Sequence, residues 1–156
     1  MDPQIRPLSE NDLLPLYRLL SDAEVMRFLE PVYTLEKTAC FLKRAGLCDK
    51  PLIYAVEANG DFIGYVIYHD YDEDRKELGW VLDRKVWGKG YAQILTQKLL
   101  AHAAKEQKSA ILECAPEQGV TRHFAEKFGF VYMGRENGCD LYERPLTAEE
   151  KPAKIC

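Results

Sequence analysis

The chain has 156 residues, of which 47% are hydrophobic and 29% are charged, and these values are typical of one folded domain rather than of a disordered chain. Its formal net charge of −4 argues against a nucleic-acid-binding protein that works through a broad basic face. No apolar run approaches the roughly 20 residues of a membrane span, and the first residues lack the charged-then-apolar pattern of a secretion signal.

The first third of the chain predicts a short strand followed by three helices. Ser9, with Asp12 three residues later, has the spacing of a capping box and begins the first helix. Pro31 stops the second helix, and the third begins at Thr34 and ends at Gly46. The expected strand covers 4–7, the first helix follows Ser9 and has its apolar face within 13–20, and the other two helices cover 23–30 and 34–45.

From residue 51 the apolar pattern changes to that of strands. Asn59-Gly60 is a strong hairpin signal, and three consecutive strands joined by tight turns indicate an antiparallel meander. The next helix leads into another strand, and this strand–helix–strand order implies parallel pairing. A last helix ends at Gly129, before a second hairpin signal at Asn137-Gly138. The expected strands are 52–57, 62–68, 77–82, 109–114, 130–134 and 139–144, and the expected helices are 91–106 and one within 116–130.

These elements predict an α+β (mixed α/β) fold, in which helices flank a central sheet of six to seven strands, mostly antiparallel. We expect one domain over 1–147 and a polar C-terminal tail over 148–156. The five cysteines show neither C-x-x-C pairing nor zinc-ligand spacing, so we expect free thiols in a reducing cytoplasm. The histidines are scattered without metal spacing, and we expect no metal site.

The turn at 87–92, with the sequence W-G-K-G-Y-A, lies between a predicted strand and a predicted helix. Such a turn offers free backbone N–H groups and the positive end of a helix dipole to an anion, and Gly88 and Gly90 let the main chain approach it. The P-loop string is absent, and Gln93 stands where a dinucleotide fingerprint needs its third glycine. An ordinary solvent turn before an amphipathic helix is the remaining alternative.

Two motifs carry a resemblance to a known family. The 87–92 turn resembles the pyrophosphate loop [RQ]-x-x-G-x-[GA] of the GCN5-related N-acetyltransferases (GNAT), with Trp87 where Arg or Gln is usual. Its flanks, E-x-G-x-x-L-D-x-x-x-W-G-K-G-Y-A, are similar to the branch with the ribosomal-protein N-terminal acetyltransferases. Residues 116–130 resemble the ending P-E-N-x-x-S-x-x-x-x-E-K-x-G-F, with Gln118 in place of Asn and Thr121 in place of Ser.

The resemblance implies a single GNAT-like domain with acetyl-CoA as co-substrate. In this family the parallel strands splay apart, here near Leu82 and Cys114, and the freed donors hold the pantetheine arm and the acetyl carbonyl. The Leu82 N–H is thereby assigned to the thioester oxygen, the 87–92 amides to the pyrophosphate, and Lys89 to added charge at the rim. The implied cofactor-binding residues are Val81, Leu82, Trp87, Gly88, Lys89, Gly90, Tyr91, Ala92, Gln118 and Phe124.

The catalytic residues that the resemblance implies are Glu77 and Thr121. The Tyr that often acts as acid toward the thiolate is replaced by Ala125, which leaves Thr121 as the nearest hydroxyl by motif. Glu77 matches a Glu often found at the start of the central strand and would act as base through water. A helix-start hydroxyl and a strand-end carboxylate are the structural alternatives. Cys114 is either an acyl-accepting thiol or a small core residue.

Pairs of short helices after the first strand form much of the acceptor wall in this family. The pocket candidates are Met26, Phe28, Leu29, Tyr33 and Phe41, each of which is also explained as the apolar face of a helix. The expected function is acetyl transfer to a primary amine, a small molecule or a protein N-terminus, by direct attack in a ternary complex. The alternative is a non-catalytic CoA-binding sensor or interaction protein. We expect a cytoplasmic monomer or homodimer that binds neither nucleic acid nor membrane.

Overall fold

The computed structural model describes residues 2–151. Seven strands form one sheet in the order β1-β2-β3-β4-β5-β7-β6, and four α-helices accompany it. The strands are β1 Gln4–Arg6, β2 Ile53–Ala58, β3 Asp61–Asp70, β4 Arg75–Leu82, β5 Ser109–Cys114, β6 Val131–Glu136 and β7 Cys139–Arg144. The helices are α1 Leu13–Leu20, α2 Leu35–Phe41, α3 Tyr91–Lys105 and α4 Gly119–Lys127.

The expected mixed sheet is confirmed, including its parallel pair. β4 and β5 run parallel, in register from Arg75 opposite Ser109 to Leu78 opposite Leu112. β1 with β2, β2 with β3, β5 with β7, and β6 with β7 pair in the antiparallel sense. β4 continues for four residues past Leu78, to Leu82, whereas the parallel register ends at Leu78.

The chain divides into two compact units. The first unit contains residues 2–69 and 80–95, and the second contains residues 70–79 and 96–151. The core of the first unit is built from α1, the α2 region and the inner faces of β2 and β3, and includes Leu16, Leu20, Ala55 and Tyr65. In the second unit, the apolar side chains of β5 are buried, and α4 contacts β5 through a face that includes the fully buried Ala125.

The expected start of the first helix is confirmed. The Asp12 carboxylate accepts the Ser9 N–H at 2.8 Å, and both terminal nitrogens of the Arg6 guanidinium donate to it at 2.8 Å. The Arg6 guanidinium lowers the pKa of this buried carboxyl. A short 3₁₀ turn over Glu10–Asp12 therefore leads into α1 with its first donors satisfied.

The predicted helix over Ala23–Glu30 is wrong. This segment forms consecutive turns, in which the Met26 N–H donates to the Asp22 carbonyl and the Leu29 N–H to the Met26 carbonyl. Eight residues give few hydrogen bonds for the conformational entropy that helix nucleation costs, so tertiary contacts decide the conformation of so short a segment.

The third predicted helix is confirmed with one addition. The Thr34 hydroxyl accepts the Lys37 N–H at 3.1 Å and caps α2, and a π turn over Leu42–Gly46 extends the helix. Gly46 is the last residue of this turn, and a Cβ there would stand 2.7 Å from Leu8 Cδ1, so the close packing favours glycine. Both Asn-Gly hairpins are also confirmed, with positive φ at both residues of each turn.

Candidate functional site

The glycine-containing turn lies between β4 and α3. The Asp83 carboxylate accepts the Lys85 N–H at 3.1 Å and caps a short 3₁₀ turn directly after β4. Gly88 and Gly90 then adopt φ of +78° and +82°, and no described atom lies within 4 Å of the position that a Cβ would take at either. The Gly90 carbonyl accepts the Ile94 N–H at 3.2 Å, so α3 begins directly after it. The turn thus presents open main chain at the N-terminus of a 15-residue helix.

Trp87 connects this turn to the end of β4. Its indole Nε1–H donates to the Leu82 carbonyl at 2.9 Å, while 50% of the residue stays exposed. The Trp87 N–H donates to the Arg84 carbonyl at 3.1 Å, so the amides that remain for an anion begin at Gly88. The Arg84 guanidinium pairs with Asp22 at 2.8 Å, Lys85 lies 4.0 Å from Asp83, and Lys89 is an exposed cation at the rim of the turn.

The end of β4 is packed tightly against β3. Gly64 of β3 has a φ of +147°, and a Cβ there would stand 2.1 Å from the Val81 carbonyl oxygen and 2.9 Å from Leu82 Cα. The Asp83 N–H donates to the Ile63 carbonyl at 2.8 Å, which closes the contact at the next residue. The position of the Leu82 peptide is therefore set by close contact with β3, and both Val81 and Leu82 are buried.

In the second unit, Gln118 and Thr121 lie at the start of α4. The Gln118 side-chain oxygen accepts the Ala115 N–H at 2.9 Å, and its backbone carbonyl accepts the Arg122 N–H at 3.1 Å. Thr121 is half-buried in the first turn of the helix. Phe124 lies one turn further on and packs against Phe128, with ring centroids 4.8 Å apart. The Gln118 amide thus shapes the turn that presents Thr121.

Glu77 lies half-buried in the paired part of β4, and Tyr71 lies in the turn between β3 and this strand. Partial burial raises the pKa of Tyr71, as do the negative charges of Glu136, Glu113 and Glu77, whereas Arg75 lowers it. The Arg75 guanidinium stacks over the Tyr71 ring, 4.9 Å from its centroid. Tyr71 therefore keeps its proton at neutral pH. It lies in the polar run 69–76, where no motif marked it.

Ala125 and Cys114 are both interior residues. Ala125 is fully buried, and its carbonyl accepts the N–H groups of Phe128 and Phe130, so the position usually held by a Tyr is part of the core here. Burial raises the pKa of the Cys114 thiol, and the charge of Asp140 adds to this effect. A buried thiol with a raised pKa is a poor nucleophile, which favours the core interpretation of Cys114.

The acceptor-pocket candidates of the first unit separate into two groups. Met26 and Tyr33 are buried members of its core, whereas Phe28 and Leu29 are exposed. The Tyr33 hydroxyl donates to the Glu30 carboxylate at 2.6 Å. Burial and this hydrogen bond raise the pKa of Tyr33 to about 12.

Residues 2–151 contain neither a metal-ligand cluster nor a membrane-spanning helix. No group of three or more His, Cys, Asp or Glu side chains in that range is placed to hold a metal ion. None of the helices described there combines the length and the apolar character that crossing a membrane requires.

Comparison with known proteins identifies the family model that this chain matches. The model of the acetyltransferase (GNAT) domain matches residues 4–131. An uncharacterized N-acetyltransferase, YnaD of Bacillus subtilis, is 28% identical over 140 residues, which cover 86% of this chain and 82% of YnaD. A GNAT-family acetyltransferase from Bacillus anthracis has a similar structure, with a TM-score of 0.79, 27% identity, and coverage of 92% of this chain and 93% of that one.

A more distant structural neighbour is the spermidine N-acetyltransferase of Vibrio cholerae, solved in complex with CoA and spermine. Its TM-score is 0.75 and its identity 21%, with coverage of 91% of this chain and 93% of that one. At that identity the likeness concerns the fold alone.

Proposed function

Because this chain belongs to the GNAT acetyltransferase family, we propose that it transfers the acetyl group of acetyl-CoA to a primary amine by direct attack in a ternary complex. The observation that carries the proposal is the turn at 88–90, where two glycines with positive φ leave open main chain at the start of α3. Backbone donors and the helix dipole suit a pyrophosphate there, and Lys89 adds a positive charge.

The Leu82 peptide is proposed to bind the thioester. Its carbonyl accepts the Trp87 indole N–H, and Gly64 packs against its Cα, so the orientation of the peptide is fixed from two sides. A fixed N–H donor stabilises the oxygen that becomes negative when the amine nitrogen attacks the carbonyl carbon. The carbon–sulfur bond then breaks, and the sulfur leaves as a thiolate.

Two protons must move in this reaction. The attacking amine loses one, and we propose that Glu77 takes it through water. The departing thiolate gains one, and the hydroxyl of Thr121 is the proposed donor, either directly or through water.

The acceptor is proposed to be a small-molecule amine or a protein N-terminus, and Phe28, Leu29, Met26 and Tyr33 are its proposed contacts. A cytoplasmic location is supported by four free cysteines among the described residues, of which Cys40 and Cys48 are exposed. The domain is proposed to span 1–147, as a monomer or a homodimer.

One specific observation favours a second candidate function. With Ala125 buried in the core, the Tyr that often acts as acid is absent, and a protein that binds CoA without turnover, as a sensor or interaction partner, is consistent with this. Measuring CoA thiol release and acetylated product over a panel of primary amines separates the two functions. Turnover above the no-enzyme rate supports the transferase. Tight acetyl-CoA binding without turnover on any amine supports the sensor.

A further inference from the structure

Four side chains of the first unit form a polar and aromatic corner, named here the Glu30 corner: Glu30, Tyr33, Phe41 and Tyr65. The Tyr33 hydroxyl donates to Glu30 Oε2 at 2.6 Å. Phe41 lies between the two tyrosine rings, with ring centroids 5.8 Å from Tyr33 and 5.9 Å from Tyr65. A carboxylate next to aromatic faces is the chemistry that recognises an ammonium group.

An ammonium group of the chain itself already lies in this corner. Lys37 Nζ stands 3.8 Å from Glu30 Oε1 and 4.3 Å from the centroid of the Tyr33 ring. Both charged side chains are about half exposed, and exposed ion pairs of this kind contribute little to stability. A second ammonium could therefore replace that of Lys37 at small cost.

The Tyr65 hydroxyl gives an independent indication of a ligand. Tyr65 is only 6% exposed, and within residues 2–151 its hydroxyl has no hydrogen-bond partner. Burial raises its pKa, and the charges of Tyr33 and Glu30 raise it further. No buried side-chain oxygen among the described residues lacks a partner, so this hydroxyl reaches solvent at the edge of the ring and is available to a group bound in the corner.

We propose that the Glu30 corner binds a second ammonium group of the acceptor, which makes a diamine the preferred substrate class. This inference rests on the proposed transferase function. An ammonium held against a carboxylate keeps its proton, whereas the attacking nitrogen must lose one. The corner therefore holds the amine that does not react. Phe28 and Leu29, exposed directly before Glu30 in the chain, suit the methylene spacer between the two nitrogens.

The charges around the corner limit the ligand to a single positive group at this point. Arg44 acts on the Tyr33 hydroxyl and lowers its pKa, against the larger effects of burial and of Glu30. Glu30 is the acidic group of this corner, and Lys37 and Arg44 are the basic groups beside it. A ligand ammonium that displaces Lys37 from Glu30 leaves the lysine charge in solvent, where screening weakens its repulsion.

The test compares two ligands that differ only in the distal group: a straight-chain diaminoalkane and the amino alcohol of the same length. Binding is measured by calorimetry without acetyl-CoA, so that it does not depend on turnover. The wild-type protein is expected to bind the diamine about tenfold more tightly. Glu30→Gln should reduce this ratio to below about threefold, because it removes the charge and keeps the shape. Lys37→Met should tighten diamine binding severalfold, because the competing ammonium is gone.

Glu36→Gln is the matched control, since Glu36 is an exposed carboxylate on α2 and the charge change is the same. It should leave the ratio at the wild-type value. Tyr65→Phe is a second test variant that removes only the hydroxyl of this buried residue. It should weaken diamine binding severalfold. Equal affinity for diamine and amino alcohol in the wild type, or an unchanged ratio in both Glu30→Gln and Tyr65→Phe, overturns the proposal. Diamine selectivity without acetyl transfer would instead refute the transferase function and leave the corner intact.

Discussion

Gly64→Ala tests whether the contact between β3 and β4 sets the position of the Leu82 peptide. The new Cβ would stand 2.1 Å from the Val81 carbonyl oxygen, whereas carbon–oxygen contacts are normally about 3.3 Å or longer. One of the two strands must therefore move by roughly 1 Å. The nearest atoms at Val81 and Leu82 include backbone, so a change of side-chain rotamer cannot relieve the clash.

Two costs add up in this variant. Overpacking a closed contact costs about 1–3 kcal/mol, and placing a side chain at a φ of +147° adds about 1–3 kcal/mol. We expect a loss of about 2–6 kcal/mol in the free energy of unfolding, which lowers Tm by at least about 4 °C in a chain of this size. In the proposed function the acetyl-CoA KM should also rise, because the Leu82 N–H is displaced.

Gly60→Ala is the control for the backbone cost alone. Gly60 also has a positive φ, of +81°, but no described atom lies within 4 Å of its Cβ position. Urea denaturation of both variants gives the two free energies under one set of conditions. If Gly64→Ala loses no more stability than Gly60→Ala and keeps the wild-type KM, the contact with β3 does not position the Leu82 peptide.

The remaining predictions concern four other positions. Gly90→Glu should weaken acetyl-CoA binding by well over about tenfold, because it adds a side chain and a like charge beside the proposed pyrophosphate site; an unchanged Kd in a calorimetric titration would exclude the turn from that site. Thr121→Val should lower kcat by more than about tenfold at nearly constant cofactor Kd, whereas a purely structural hydroxyl would lower Tm and keep kcat within about twofold. Glu77→Gln should lower the rate at pH 7, and the rate should recover partly at higher pH. Glu113→Gln makes the same charge change on the exposed part of β5 and should leave the rate at pH 7 unchanged. A pH–rate profile of Glu77→Gln parallel to that of the wild type from about pH 6 to 9 would exclude Glu77 as the base. Asp12 has a lowered pKa because Arg6 donates to its carboxylate, so its stabilising effect is present above the unfolded pKa of about 3.9 and is lost as the pH falls through the folded value. Asp12→Asn should lower the free energy of unfolding at pH 7 and flatten its decline below about pH 4, and an unaltered acid limb would contradict this.

Local signals predicted the parts of this fold that local energetics decide. The Asn-Gly turns need positive φ, Thr34 caps a helix through its own hydroxyl, and the strand–helix–strand order constrains β4 and β5 to run parallel. The helix predicted over 23–30 does not form, because the apolar spacing of this segment suits both a short helix and a series of turns. Only tertiary contacts distinguish the two conformations.

The candidate site also has one part that local sequence signals predict and another that depends on tertiary contacts. The turn at 87–92 was recognisable from its own letters, because glycines and a helix start are adjacent in sequence. The close contact of Gly64 with Val81, the proximity of Tyr71 to Glu113 and Glu136, and the Tyr65 hydroxyl depend on residues far apart in the chain. No spacing rule within a single segment reveals such contacts, and they became visible only with the strand register.

The hydrogen bond from Trp87 to the Leu82 carbonyl gives this protein an optical probe of its own. The chain contains two tryptophans, and Trp80 is half-buried in β4 whereas Trp87 is half exposed at the turn. Indole emission moves to shorter wavelength when solvent is removed from the ring and responds to the loss of its N–H partner. A Trp80→Phe variant would leave Trp87 as the single emitter, so occupancy of the turn could be followed in stopped-flow by fluorescence, without any label.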